Sequence, residues 1–235
     1  MSPVTEEYRS RMAAGLTFDV RYTEPRNRLT TFFRIILAIP HAICVGLWGY
    51  AVQLAAVIQW FIILFTGQRN PGIWRFTRGY LSYSSRVNGY MGLLFDEYPG
   101  FFNSWSSEPV AFDLQDDDPP NRLTNALRII WIIPAFIISA VISIGALVVT
   151  VIAWFAILFT GQYPRGMFDF SVQATRMSQR VMAYGLLSTD VYPKYSGTEP
   201  VGVLPPGDQA GSGGYGGSGY GSGAPLPPPT TPPLG

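Results

Sequence analysis

Residues 28–68 read RLTTFFRIILAIPHAICVGLWGYAVQLAAVIQWFIILFTGQ, and residues 122–162 read RLTNALRIIWIIPAFIISAVISIGALVVTVIAWFAILFTGQ. Inside them, 35–65 and 129–159 are runs of 31 residues without a single Asp, Glu, Lys or Arg. About 18–20 such residues are enough to cross a bilayer. Only 13% of the whole chain is charged, against roughly 25% in ordinary globular proteins. Two uncharged runs of this length have no place in a soluble core of this size, and the chain reads as an integral membrane protein.

The two stretches are copies. Phe18-Asp19 recurs as Phe112-Asp113, Asn27-Arg28-Leu29-Thr30 as Asn121-Arg122-Leu123-Thr124, and Leu64 through Gln68 as Leu158 through Gln162, always at an offset of 94. Arg34, Pro40, Arg86, Asp96, Tyr98 and Pro99 return in the same register as Arg128, Pro134, Arg180, Asp190, Tyr192 and Pro193. The chain thus holds two repeats, 16–101 and 110–195. A polar segment, 1–15, precedes them, and an acidic linker containing Asp116-Asp117-Asp118 joins them. The leading polar segment has no apolar signal core, so the first run is expected to serve as the insertion signal. Residues 196–235 are Gly, Ser, Pro and Tyr with few aliphatics. Such a tail cannot bury enough apolar surface to offset its ordering entropy, and it is expected to be disordered.

Within each repeat, an alternating stretch such as Leu16-Thr17-Phe18-Asp19-Val20 suits a short β-extension. Asn27 and Asn121 then fit as helix N-caps. One helix of 31 residues would be about 46 Å long against a hydrocarbon core of about 30 Å. Arginines also flank both ends of each run, which places both ends in the cytoplasm. Each run is therefore expected to be a hairpin, crossing fully or shallow and re-entrant, turning near 46–49 and 139–145, with the two copies parallel. After each Gly-rich corner, Ile73, Phe76, Tyr80, Val87 and Met91 mark an amphipathic helix, repeated by Phe170, Ala174, Met177, Val181 and Tyr184. Such a helix suits the headgroup plane, or packing on the hairpin. The predicted class is all-α, multi-pass in the cell membrane, with both termini cytoplasmic.

The motifs Arg28-Leu29-Thr30-Thr31-Phe32-Phe33-Arg34, Ile39-Pro40-His41, Trp154-Phe155-Ala156-Ile157-Leu158-Phe159-Thr160-Gly161, Arg86-Val87-Asn88-Gly89-Tyr90 and Asp96-Glu97-Tyr98-Pro99 together resemble a bacterial family known as domain of unknown function 4389. The resemblance covers both repeats and implies a membrane location. It implies no substrate.

No catalytic, cofactor or metal site is expected. Paired intramembrane carboxylates, a P-loop and a dinucleotide fingerprint are absent from the sequence. His41 is the single histidine, with Ala135 as its repeat mate, and Cys44 the single cysteine. One histidine cannot build a metal site alone, and both side chains read as packing groups. A net charge of +1 gives no attraction to nucleic acid. The candidate residues are Arg34, Arg128, Arg75, Arg78, Arg86, Arg176 and Arg180, as ligands of lipid headgroups or as members of structural ion pairs. Arg34 and Arg128 are expected to snorkel toward phosphate, or to pair with Asp19, Asp96, Asp113 or Asp190. The expected partners are an anionic bilayer and a protein bound by the tail, and oligomerisation is open. The expected role is a membrane scaffold or adaptor, with a small transporter or channel component as the alternative.

Overall fold

The computed structural model of the chain describes residues 15–100, 110–114, 119–197, 199, 201 and 202. Segment 1–14, the linker's Asp116–Asp118 and nearly all of the tail lie outside the described residues. The elements in order are β1 (Leu16–Val20), α1 (Arg28–Thr66), α2 (Pro71–Met91), β2 (Val110–Leu114), α3 (Arg122–Thr160) and α4 (Arg165–Gly185).

The hairpins predicted for the apolar runs do not form. Each run lies inside one uninterrupted helix of 39 residues, about 58 Å along its axis. A turn in mid-run would need partners for its freed backbone groups, and the stretches 46–49 and 139–145 offer only Gly, Ser and apolar side chains. Helix propagation satisfies each of those groups internally, and it continues through Pro40 and Pro134. Ends are set by specific chemistry. The Asn27 and Asn121 side chains each accept from two backbone N–H groups of the first turn. Gly67 and Gly161, at φ of +73° and +77°, close the last turns by donating to Ile63 and Ile157.

The copies also do not run in parallel. Trp60 Nε1 of α1 donates to the Asn125 carbonyl at the start of α3 at 2.9 Å, and its mate Trp154 Nε1 donates to Thr31 at 3.1 Å. The Arg122 side chain lies against Gly67, and Arg28 against Gly161. The long helices are therefore antiparallel, each beginning where the other ends. Since the contacts match at the repeat offset of 94, a pseudo-two-fold axis relates the repeats.

α2 and α4 fold back along their own long helices. Tyr80 meets Gly49 and Tyr90 meets Arg34 in the first repeat. In the second, Ser178 meets Ser143, and Tyr184 meets Arg128. The result is two helical layers, α1 with α3 and α2 with α4. The strands pair antiparallel with Phe18 opposite Phe112, so repeat mates sit on the pseudo-axis. This ribbon covers the outer side of α2 and α4 and is exchanged between repeats: β1 packs on α4, β2 on α2. Leu16, Phe18, Val20, Val110, Phe112 and Leu114 supply its buried face, and Leu81, Phe168 and Val172 meet it from the helices.

A Cβ at Gly67 would lie 2.7 Å from Arg122 Nε, on a backbone that L side chains rarely adopt. Gly67→Ala and Gly161→Ala are each expected to lower stability by about 1 kcal/mol or more, read as a drop in the thermal midpoint in mild detergent.

Candidate functional site

Five of the seven arginines singled out in the sequence fall into two structural groups. Arg34 and Arg128 are 2% and 3% exposed, so neither snorkels outward. Each occupies the inner stripe of its long helix and grips the loop that ends its repeat. Arg34 Nη1 donates to the carbonyls of Tyr90 (3.1 Å) and Phe95 (2.8 Å), while Nη2 pairs with Asp96 at 2.5 Å. Its guanidinium lies 4.5 Å from the centre of the Tyr90 ring. The other Asp96 oxygen accepts from the Asn27 backbone N–H at 2.8 Å, so the carboxylate joins the loop to the start of α1. Arg128 repeats the arrangement with Tyr184, Thr189 and Asp190, and Asp190 accepts from the Asn121 N–H. Arg69, from the first repeat, adds a second cation to Asp190 at 3.0 Å.

The second group holds the ribbon. Arg176 Nε donates to the Phe18 carbonyl at 2.8 Å and Arg180 Nε to Leu16 at 3.1 Å, while Arg78 Nε donates to Leu114 at 3.1 Å. Arginine side chains thus stand where a neighbouring strand would otherwise bond the ribbon's edges. Asp19 lies 3.6 Å from Arg176, Asp113 lies 3.4 Å from Arg78, and Glu199 bridges Arg176 and Arg180 at 3.1 and 2.6 Å. Arg86 is buried and Arg75 exposed, the latter bonded to the Pro71 carbonyl of its own first turn. Arg86, Arg176 and Arg180 are therefore buried within the protein.

The sequence suggests the four aspartates as partners for Arg34 and Arg128. Asp96 and Asp190 take that place, whereas Asp19 and Asp113 pair across the exchange with Arg176 and Arg78. Sequence reasoning misses Glu199 and Arg69. The signal available for them is weak: Arg69 breaks the repeat (Tyr163 is its mate), and Glu199 lies in a segment otherwise poor in charge.

His41 is fully buried, with Nδ1 2.7 Å from the Tyr83 hydroxyl and its ring 4.7 Å from that of Tyr98. Burial pushes the Tyr83 hydroxyl up to about 12. Burial, then the Glu24 carboxylate, does the same to Tyr22, so both phenols stay protonated through neutral pH. In the second repeat this place belongs to Ala135 and Met177, which pack with Val181. Among the described residues, no three His, Cys, Asp or Glu side chains form a group able to hold a metal.

The outer face of the long helices is predominantly apolar. Of the exposed large hydrophobic side chains, 15 lie on α1, 17 on α3 and 5 elsewhere among the described residues. Two grooves between α1 and α3 open along it, of about 440 and 490 Å³. The first is lined by Arg34, Ala38, Leu147, Val151 and Trp154, the second by their repeat mates Arg128, Ile132, Gln53, Val57 and Trp60.

Truncating one partner of a buried ion pair costs about 3–5 kcal/mol. Asp96 is partly exposed, so Arg34→Ala and Asp96→Ala are expected at about 1–3 kcal/mol each. The double variant should cost less than the sum of the two, by a double-mutant cycle on thermal unfolding. The pairing at His41 makes a separate expectation. His41→Ala combined with Tyr83→Met copies the second repeat, and should restore part of the midpoint lost in either single variant.

The chain belongs to the family described as domain of unknown function (DUF4389), whose signature matches residues 28–103 and again 122–196. Neither a curated protein nor a solved structure shows significant similarity to it.

Proposed function

We propose that this chain is a non-enzymatic membrane protein acting as a scaffold or adaptor, with a lipid bilayer as its constant partner. The observation that carries the reading is the apolar face of α1 and α3. Contiguous exposed apolar patches on soluble monomers reach only a few hundred Å², and 32 large side chains (15 on α1 and 17 on α3) along two helices of about 58 Å exceed that many times over. Among the described residues, α1 and α3 are also the two helices long and apolar enough to cross a membrane. Exposed Arg28 and Arg122 begin α1 and α3, and exposed Arg75 and Arg165 follow soon after their C-terminal ends, where anionic headgroups would attract them. The Gly/Ser/Pro/Tyr composition of the tail suits a partner-binding element of the Pro-rich kind.

An antiparallel pair of repeats is also a transporter device, and that is the second reading. It is the weaker one, because the grooves between α1 and α3 are walled almost wholly by apolar side chains and offer no polar path.

The full chain is expected to float with phosphatidylethanolamine/phosphatidylglycerol vesicles. Monodisperse behaviour in buffer without detergent would overturn the membrane reading. Reconstituted vesicles should show no selective solute flux above protein-free vesicles, and reproducible flux would favour the transporter. Deleting 203–235, which spares Glu199 and its arginines, should remove co-purifying proteins while leaving flotation unchanged.

A further inference from the structure

We infer that α1 and α3 do not cross the bilayer: both lie in the plane of one leaflet, apolar face down, with α2, α4 and the ribbon on the aqueous side. This rests on the membrane reading above and concerns how the molecule is seated.

Three observations carry it. The first is where charge sits along the helices. Trp48, at the middle of α1, packs on Tyr80, and Arg78 lies half a turn before Tyr80 on α2. Ser143, at the middle of α3, meets Ser178, which Arg176 and Arg180 flank. The clusters Arg78–Asp113 and Asp19–Arg176–Glu199–Arg180 are thus level with the midpoints of the long helices. If those helices spanned, the clusters would stand at the bilayer centre, with Arg78, Asp113 and Glu199 still about a quarter open to their surroundings. A single Arg or Asp at that depth costs about 2.5–3.5 kcal/mol, and a two-stranded ribbon there would carry into hydrocarbon sheet edges that are bonded only in part, by arginines. With the helices lying flat, the part-exposed Arg78, Asp113 and Glu199 meet water.

The second is the balance of arginines at the two ends. Because α1 and α3 are antiparallel, one end of the pair carries Arg26, Arg28, Arg34 and Arg165, and the other carries Arg69, Arg75, Arg122 and Arg128. A spanning pair would leave four of these arginines on the side away from the cytoplasm, against the bias that sets orientation. In the flat seat both ends share one side.

The third is length and symmetry. The uncharged run of 31 residues in each helix extends about 46 Å, well beyond a hydrocarbon core of about 30 Å. The excess disappears when the helix lies parallel to the leaflet. The pseudo-axis through Phe18 and Phe112 then becomes the membrane normal, and both repeats offer lipid the same face.

The test uses the full chain in a Cys44→Ser background. Gln68→Cys and Gln162→Cys are repeat mates, both exposed, just beyond the C-terminal ends of α1 and α3. They sit at opposite ends of the helix pair. A membrane-impermeant maleimide is applied to inside-out and to right-side-out vesicles. Both sites should label in the same preparation, with a ratio near one; labelling in opposite preparations, or of neither site in either, overturns the flat seat. Spin labels on Ile36→Cys, Leu47→Cys and Ile58→Cys, spaced 11 residues apart on one exposed face of α1, give an independent reading. Equal oxygen accessibility at all three is expected. Leu47 buried deepest, between shallower neighbours, means the helix spans. A chain that fails to associate with vesicles at all defeats the membrane reading itself, whereas one that floats but labels on opposite sides defeats only the seat.

Discussion

The governing constraint is that a backbone polar group removed from water must find a partner, and the two uncharged runs supply few except the helix itself. Between Ile35 and Thr66 the polar side chains are sparse, and none in 46–49 offers an acceptor for the bonds that a turn would break. Gly46 and Gly49 are permissive residues, but permissiveness does not create a donor or an acceptor. The helix therefore propagates until Thr66-Gly67, where a left-handed glycine closes it. The length of 39 residues is a consequence. The exposed apolar face is another. A helix that long cannot bury its circumference against a chain of 235 residues, and the two copies cover only a stripe of each other.

Along that stripe lie the polar groups that α1 and α3 do carry. Thr31, Arg34, His41 and Gln59 are buried in α1, with Asn125, Arg128 and Ser139 in α3. Desolvating an arginine is costly, and it is tolerated here because the loops after α2 and α4 turn two carbonyls and a carboxylate toward each one. The loops are shaped to do so: Leu93 and Leu187, at φ of 63° and 62°, are held in a conformation that favours glycine, yet both are buried. Strain in the backbone and desolvation of the guanidinium are offset together, since the same bend that strains the leucine presents the carbonyls of Phe95 and Thr189.

The repeat, the strands, the caps and the amphipathic second helices are legible from residue identity and spacing, because each has a local cause. Asn27 caps α1 whatever lies beyond it. Spacing does not reveal the number of passes per run, and the reason is specific. Arginines at both ends of a run mark both ends as wet, which a hairpin satisfies and a helix lying flat satisfies equally well. The partners of Asp19 and Asp113 are hidden for a different reason: both pair across the exchange of strands, and an exchange leaves no trace in a repeat whose two copies read alike. Arg176 and Arg180 read as an open polar face because helical spacing gives a direction but not what stands there. The ribbon and Glu199 cover it.

The exchange also constrains how the two halves depend on one another. β1 finds its arginines on α4, and β2 finds its arginine on α2. One repeat alone would leave its strand carbonyls and the arginines of its second helix without these partners. Two single repeats would solve the problem by associating about a two-fold axis, each strand reaching the other's second helix, which is an isologous interface. The pseudo-axis through Phe18 and Phe112 is that geometry written within one chain. It explains why the offset of 94 admits no gap over the strands and helices: a shift in one copy would displace the strand from the arginines that bond it in the other. Divergence is tolerated at positions such as His41 and Ala135, whose partners Tyr83 and Met177 belong to the same repeat.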